Sequence, residues 1–215
     1  MLTKKFICAS ISHRVGFPLA EESRVNIYQK LSVALALSLY LPLSYQILTG
    51  KVRQNLATFI LWGSLDAIAA LSIFAQGGNY YLPAIYVAGC SIVVSSILKS
   101  KSYGVWTSYE TKIVFLVALS VVAWFLSGPW AATIFSTSGV MMASLPQIKD
   151  TWRDPASTPG LIYAGCTVAN ALSIVGGSAW TVEERLFPTA CTVLCIFIVV
   201  LTLRGRQRRS GAIAV

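Results

Sequence analysis

Charged residues and histidine are scarce in this chain. Only 12% of the 215 residues are charged, and His13 is the single histidine, whereas soluble domains carry about 25% charged residues. This scarcity excludes an ordinary soluble domain. The chain also has no HExxH, GxSxG or phosphate-binding loop and no paired carboxylates, the motifs on which common hydrolytic and phosphate chemistry depends. The sequence therefore predicts neither an enzyme nor a bound cofactor, and His13 is interpreted as a solvated residue.

Cysteines are few and follow no metal or disulfide pattern. Cys90, Cys166, Cys191 and Cys195 fall in apolar segments and Cys8 lies near the start, with no CxxC motif. Cys191 and Cys195 share a helix face, but two thiols alone do not indicate a metal site. We expect packing residues and no metal.

Apolar residues, by contrast, dominate the chain. They make up 55% of it, and the mean hydropathy is +0.67. Crossing a hydrocarbon core about 30 Å thick takes roughly 17 to 25 apolar residues. The predicted fold class is all-α integral membrane, with seven transmembrane helices. The predicted spans are Leu31 to Leu48, Leu56 to Phe74, Tyr81 to Leu98, Ile113 to Leu126, Trp130 to Leu145, Leu161 to Gly177 and Leu186 to Leu203. Gly128 and Pro129 separate the fourth from the fifth.

Basic residues cluster on one side of this seven-span plan. Loops on the C-terminal side hold Lys51, Lys99, Lys149 and Arg204 among others, while the opposite loops hold only Arg185. The positive-inside bias predicts a cytoplasmic C-terminus and an N-terminus on the other side. The basic tail before the first span argues the other way, but the loops agree from end to end. The net charge of +9 is attributed to loop placement and contact with lipid headgroups, not to nucleic acid.

Asp66 is the only ionisable side chain within a long apolar segment, and it lies near the middle of the second span. A carboxylate at that depth costs about 2.5 to 3.5 kcal/mol on insertion scales, so such residues usually face a bundle interior or a wet cavity. Asn170 occupies the corresponding position 104 residues later. The pair is the leading candidate for a functional centre.

Other polar and aromatic residues share helix faces with these two. Trp62 lies four residues before Asp66, while Thr167 and Ser173 flank Asn170 at intervals of three. An aromatic plane beside a carboxyl suits a small polar solute, and because burial disfavours the charged form, the carboxyl is also a candidate proton carrier. The alternative is an Asp–Asn hydrogen bond that only joins two helices, worth about 0.6 to 2 kcal/mol.

The chain contains an internal repeat. An offset of 104 residues aligns Leu41-Pro42 with Leu145-Pro146 and Phe59 with Tyr163, and an offset of 105 aligns Pro83 with Pro188 and Cys90 with Cys195. This alignment predicts two parallel three-helix repeats joined by a linker helix, a 3+1+3 plan known among transporters. The predicted regions are a tail at 1–26, the first unit at 27–100, the linker helix at 101–128, the second unit at 129–204 and a basic tail at 205–215.

These residues carry a resemblance to a known family. The run Ser144-Leu-Pro-Gln-Ile-Lys149 ends an apolar helix and precedes a polar loop at 157–160, and Pro42 and Gln46 form a degenerate counterpart in the first unit. The chain resembles the PQ-loop superfamily of SWEET and SemiSWEET sugar carriers and lysosomal amino acid exporters. The resemblance implies that Pro42 and Pro146 act as hinges and that Gln46 and Gln147 belong to the motif. Proline removes a helical hydrogen bond and bends the helix, so a purely structural bend is the alternative.

The chain departs from the sugar carriers in one respect. Those carriers place a sugar-binding asparagine in the third helix of each unit, but here the third helices offer other residues, which weighs against a sugar. The available polar side chains are Cys90, Ser91 and Ser95 in the first unit and Thr189 and Thr192 in the second.

The predicted function is therefore transport of a small polar solute, an amino acid or a sugar, by alternating access, with proton coupling through Asp66. The alternative is a non-transporting receptor or assembly protein, because related seven-helix plans serve both roles. Expected partners are the lipid bilayer, the solute and protons. Seven helices can close a pathway within one chain, and a homo-oligomer stays open as an alternative.

Overall fold

The computed structural model describes residues 26–52, 54–101, 108–155 and 158–213, with side chains described as far as residue 204. The predicted N-terminal tail, apart from its last residue, and Ser157 of the polar loop lie outside this range, as do all side chains of the C-terminal tail. Within the described residues the secondary structure is helical, with no strand. The helices are α1 Ile27–Leu48, α2 Leu56–Ala75, α3 Tyr81–Ser100, α4 Ser108–Ser127, α5 Pro129–Ala143, α6 Leu145–Arg153, α7 Gly160–Gly176 and α8 Val182–Ile213.

Five of these helices are long and apolar enough to cross a membrane: α1, α2, α3, α4 and the Val182–Arg204 part of α8. This agrees with an all-helical, multi-pass membrane protein. The remaining two predicted spans are shorter, since α7 has 17 residues and α5 has 15. The fourth helix begins at Ser108, earlier than the predicted Ile113.

The fifth span ends early because the helix is interrupted at Ser144. Pro146 has no N–H to give to the Met142 carbonyl four residues before it, so a continuous helix is disfavoured there. Instead the Tyr109 hydroxyl of α4 donates to that carbonyl. The Leu145-Pro146-Gln147 motif consequently opens the nine-residue helix α6, whereas the sequence placed it at the end of the span. Pro42, in contrast, lies inside the continuous helix α1.

Six helices pack as a closed ring. Their order around the ring is α1, α3, α2, α5, α8 and α7, and α7 packs on α1 to close the ring. Helices α2 and α8 also touch across the ring, and α4 packs on the outside against α2 and α5. Polar contacts near the helix ends give the directions of the helices. At one end Asn55, just before α2, contacts Glu110 at the start of α4, and at the other end Ser72 of α2 contacts Thr133 near the start of α5. Successive long helices therefore run in alternating directions.

The two ends of the ring differ in charge. The end where α1 and α3 finish and α2, α4 and α7 begin is called the basic face, and the other end is called the opposite face. Residues of the basic face include Lys51, Lys99, Lys101, Lys112, Lys149, Arg153 and Arg204.

The main core cluster lies inside the ring. Leu65 and Ala69 of α2, Tyr86 of α3, Ala169 of α7 and Phe187 of α8 belong to it. Leu65, Ala69, Ala169 and Phe187 have no exposed surface. The outer surface is apolar too, as expected where lipid is the solvent. Its exposed large residues include Phe115, Phe125, Leu126, Leu161 and Val200.

Candidate functional site

Asp66 lies inside the ring and is only 4% exposed. Its Oδ1 atom has no hydrogen-bond partner among the described residues. The side chains within electrostatic range of its carboxyl are Tyr40, Tyr86, Cys90 and Cys191, and none of them is basic. A buried polar atom left unpaired costs about 1 to 3 kcal/mol. A carboxyl buried at this cost, and without an ion pair among the described residues, is a candidate functional residue.

Asn170 of α7 is fully buried, and among the described residues its side-chain nitrogen is hydrogen-bonded while its side-chain oxygen is not. Its Nδ2 donates to the Tyr86 hydroxyl at 2.7 Å and to the Cys166 carbonyl at 2.8 Å. Its Oδ1 has no partner in the described part of the chain. Tyr86, which Asn170 contacts, lies within electrostatic range of Asp66, and no hydrogen bond joins Asp66 to Asn170 in the described residues.

Trp62 stands one helical turn from Asp66, toward the basic face. Its ring packs edge-on against Phe59, with 5.2 Å between the ring centroids. Its Nε1 is buried and has no acceptor within the described residues. Indole N–H groups usually find a partner when buried. The Trp62 donor and the unpaired oxygens of Asp66 and Asn170 are thus three polar atoms in this region that the described residues leave without partners.

A cavity of about 80 Å³ lies beside Trp62, between α1, α2 and α7. Its wall pairs residues that the repeat aligns: Phe59 with Tyr163, and Trp62 with Cys166. Tyr40 of α1 closes one side and Gln54 lies at its rim. The cavity is mostly apolar and aromatic, as binding sites for small molecules commonly are.

A larger polar cavity of about 450 Å³ opens at the basic face. Gln54 borders both cavities, so they are adjacent. Gln147 of the motif lines the larger one, and its Nε2 donates to Thr151 Oγ1 at 3.2 Å. Glu110 lies in the same wall, 6% exposed, and accepts from Asn55 Nδ2 at 3.2 Å.

The opposite face is held shut by hydrogen bonds to α7 and to the loop after it. Asn26 Nδ2 donates to the Gly176 carbonyl at 2.7 Å, and Asn79 Nδ2 donates to Ser173 Oγ at 3.3 Å. The Arg185 guanidinium donates to the carbonyls of Ile174 and Gly177, which the end of α7 leaves unpaired. Ser173 thus contributes to this closure rather than to the cavities.

The other predicted site residues are spread along the helices. Thr167 is half-buried, and its hydroxyl donates to the carbonyl of Tyr163 at 2.9 Å, within its own helix. Pro42 is exposed on α1, and Gln46 is half-buried, with a carbonyl that accepts from Lys51 N at 2.9 Å. Gln147 is the one motif glutamine that lines a cavity.

Sequence reasoning overlooked three tyrosines and an asparagine. Tyr40, Tyr86 and Tyr163 surround the candidate site, and Asn79 helps to close the opposite face. A tyrosine in mid-span, away from the interface belts where tyrosine is common, was the available signal for Tyr40 and Tyr86. Asn79 sits in a turn, where asparagine is common, so nothing in the sequence distinguished it.

Comparison with known proteins found no match. No family model fits the chain, and neither a curated protein nor a solved structure matches it. Function must therefore be inferred from the site itself. In the described residues no three metal-ligating side chains are grouped to hold a metal ion.

Tyr86→Phe tests the link between α3 and α7. The change leaves one hydrogen of Asn170 Nδ2 without an acceptor, and we expect a loss of about 1 to 3 kcal/mol in the free energy of unfolding. Thermal unfolding of the detergent-purified protein measures it. Tyr28→Phe, at a residue that is 45% exposed, is the matched control and should unfold at the unchanged temperature. Equal stability of Tyr86→Phe and wild type would contradict the assigned hydrogen bond.

Proposed function

We propose that this chain is a membrane carrier that moves a small polar solute by alternating access, with Asp66 at the centre of the pathway. One observation carries the proposal: a closed ring of helices encloses a carboxyl that makes no ion pair among the described residues, and the same ring holds an amide oxygen of Asn170 and an indole nitrogen of Trp62 that also lack partners there. The two described cavities lie toward the basic face, and Trp62 lines the smaller one. A polar solute and water supply what the protein leaves unpaired.

The packing order supports two parallel repeats. In the first unit α3 packs between α1 and α2, and in the second α8 packs between α5 and α7. The third helix is therefore central in each. The contacts between units are reciprocal, because α1 packs on α7 and α2 packs on α5. The first helix of each unit thus packs on the second helix of the other unit, as a two-fold axis along the membrane normal requires.

The composition of the core supports the same relation. Four pairs of residues related by offsets of 104 or 105 lie in the main core cluster. The pairs are Ala36 with Val140, Leu65 with Ala169, Leu82 with Phe187 and Tyr86 with Cys191. Asp66 and Asn170 directly follow the second pair. We infer a 3+1+3 plan with α4 as the linker, of the PQ-loop kind.

The broken helix α5–α6 supports a hinge in the second unit. Ser144 separates the two helices, and Pro146 prevents them from forming one uninterrupted hydrogen-bond ladder. Since Gln147 lines the polar cavity, a change of angle at Ser144 would widen or narrow that cavity. Pro42 is the corresponding hinge in α1, where the helix is continuous in this state.

The unpaired atoms support an amine-bearing solute, such as an amino acid, over a sugar. Asp66 Oδ1 and Asn170 Oδ1 accept hydrogen bonds and suit an ammonium group, while Trp62 Nε1 is a donor and suits a carboxylate. The aromatic cavity wall fits a cation as well. A proton that binds Asp66 is the proposed coupling ion.

The bilayer supplies the setting for this mechanism. The basic face is assigned to the cytoplasm because loops rich in Lys and Arg stay there. A monomer suffices for transport, and the proposal does not require nucleic acid or a cofactor.

One observation favours a second function. Both cavities open toward the basic face, while the opposite face is closed. A receptor that binds a ligand from one side and never releases it to the other has this form. The difference between carrier and receptor is whether the opposite face ever opens.

Cysteine labelling separates the two functions. Ser173→Cys reports on the closed face and Trp62→Cys on the cavity, each tested with a membrane-impermeant thiol reagent applied from either side of sealed vesicles. For a carrier we expect Trp62→Cys to react from the basic face and Ser173→Cys from the opposite face. The unchanged chain sets the background from native cysteines. Protection of Ser173→Cys, combined with absence of solute uptake into proteoliposomes, would favour the receptor.

A further inference from the structure

Three cysteines lie along the packed helices α7 and α8. Cys166, Cys191 and Cys195 are free cysteines. Helices α7 and α8 pack antiparallel, with Gly160 against Thr202 and Gly177 against Arg185, and this register brings Cys166 level with Cys195. Cys191 lies one turn along α8 and within electrostatic range of Cys166. Two cysteines that face each other across packed helices need only small shifts to reach the geometry of a disulfide. The proposed function uses none of these thiols.

One member of the pair is accessible from the cavity. Cys166 is half-buried and lines the cavity beside Trp62, whereas Cys195 is 8% exposed and Cys191 is 5% exposed. The cavity holds about 80 Å³, well above the roughly 10 to 15 Å³ that one water molecule needs. A small uncharged hydroperoxide therefore fits beside Cys166, and Cys195 is shielded behind it.

We propose that Cys166 and Cys195 form a reversible, peroxide-sensitive disulfide within the second unit. The Cys166 sulfur attacks one peroxide oxygen, the O–O bond breaks, and a sulfenic acid and one water are produced. The Cys195 sulfur then attacks the Cys166 sulfur, the S–O bond breaks and a second water leaves. Both thiols are oxidised, hydrogen peroxide is reduced to two waters, and a dithiol restores the pair by exchange.

The new bond would fasten α7 to α8 next to the functional centre. The Cys166 carbonyl accepts from Asn170 Nδ2, and the Cys166 side chain forms part of the cavity wall. A disulfide there holds the wall in one position and limits any movement of α7 against α8. If the carrier proposal holds, oxidation should stop uptake and a dithiol should restart it. The cross-link itself does not depend on that proposal.

Tryptic peptides distinguish this disulfide from the alternatives. Cleavage at Arg153, Arg185 and Arg204 leaves Cys166 alone in peptide 154–185, with Cys191 and Cys195 in peptide 186–204. Purified protein is treated with hydrogen peroxide, its free thiols are blocked, and the digest is analysed by mass spectrometry. We expect a linked species two hydrogens lighter than the sum of the two peptides plus one blocking group on Cys191, and it should disappear after reduction.

Variants assign the pair. The linked species should persist in Cys191→Ser and vanish in Cys195→Ser, where Cys166 should instead carry a sulfinic acid. Cys90→Ser, which removes a buried thiol on α3, is the matched control and should leave the link unchanged. Three results overturn the proposal: loss of the link in Cys191→Ser, a link in Cys195→Ser, or wild-type Cys166 that stays reduced or becomes sulfinic without linking. Cys195→Ala replaces Cys195→Ser if the hydroxyl prevents folding.

Discussion

Asp66→Asn is expected to abolish proton-driven accumulation of the solute. The amide has the shape of the carboxyl but cannot bind and release a proton. At one proton per solute, an inward gradient of one pH unit supplies about 1.4 kcal/mol, which corresponds to about tenfold accumulation. Wild-type proteoliposomes should approach this ratio and Asp66→Asn should stay near equal concentrations. The measurement is radiolabelled amino acid uptake with and without the gradient.

The control for this experiment is a carboxyl-to-amide change outside the ring. Glu183→Gln, in the first turn of α8 at the opposite face, should accumulate solute as wild type does. Solute exchange without a gradient separates loss of coupling from loss of folding, since a folded Asp66→Asn carrier should still exchange. Full accumulation by Asp66→Asn would refute coupling through Asp66. Absence of uptake by wild type for every solute tested would transfer support to the receptor.

Gly89→Ala is expected to cause the largest loss of stability among single small changes in the helices. A Cβ at Gly89 would lie 2.1 to 2.3 Å from three ring atoms of Tyr40, far inside contact distance. Tyr40 packs against both core clusters and stacks edge-on with Tyr86, 6.3 Å between ring centroids. It therefore cannot move aside freely. Overpacking of this kind costs about 1 to 3 kcal/mol.

Gly63→Ala is the matched control for overpacking. Gly63 is also a mid-helix glycine that faces another helix, but its added Cβ would meet a single atom, Cys90 Cβ, at 3.2 Å. We expect a clearly smaller fall in the unfolding temperature than for Gly89→Ala, both measured in detergent. A second variant, Gly89→Ala with Tyr40→Leu, should recover stability because the smaller side chain frees the space. Equal unfolding temperatures for the two alanine variants would disprove the close packing of Tyr40 on Gly89.

Sequence reasoning located the helices well because a membrane imposes a simple rule. Backbone N–H and C=O groups in lipid must form hydrogen bonds within the protein, so a long apolar run almost always forms a helix. The turn at Gly128-Pro129 was predicted on similar grounds, and Gly128 indeed adopts a φ of +84° before α5. The motif at Pro146 was placed less well, because its effect depends on Tyr109, a residue from another helix that takes the freed Met142 carbonyl.

The sequence by itself determined the membrane class, most of the helices and the burial of Asp66, because each follows from local hydrophobicity or from the cost of a charge in lipid. Only the tertiary structure decided what Asp66 and Asn170 have around them. Tyr86 reached Asn170 across the ring, and the packing of α7 on α8 brought Cys166 level with Cys195. Such contacts depend on the rotation and order of helices in the ring. In lipid the outer and inner sides of a helix are both apolar, so hydrophobicity alone does not encode that rotation.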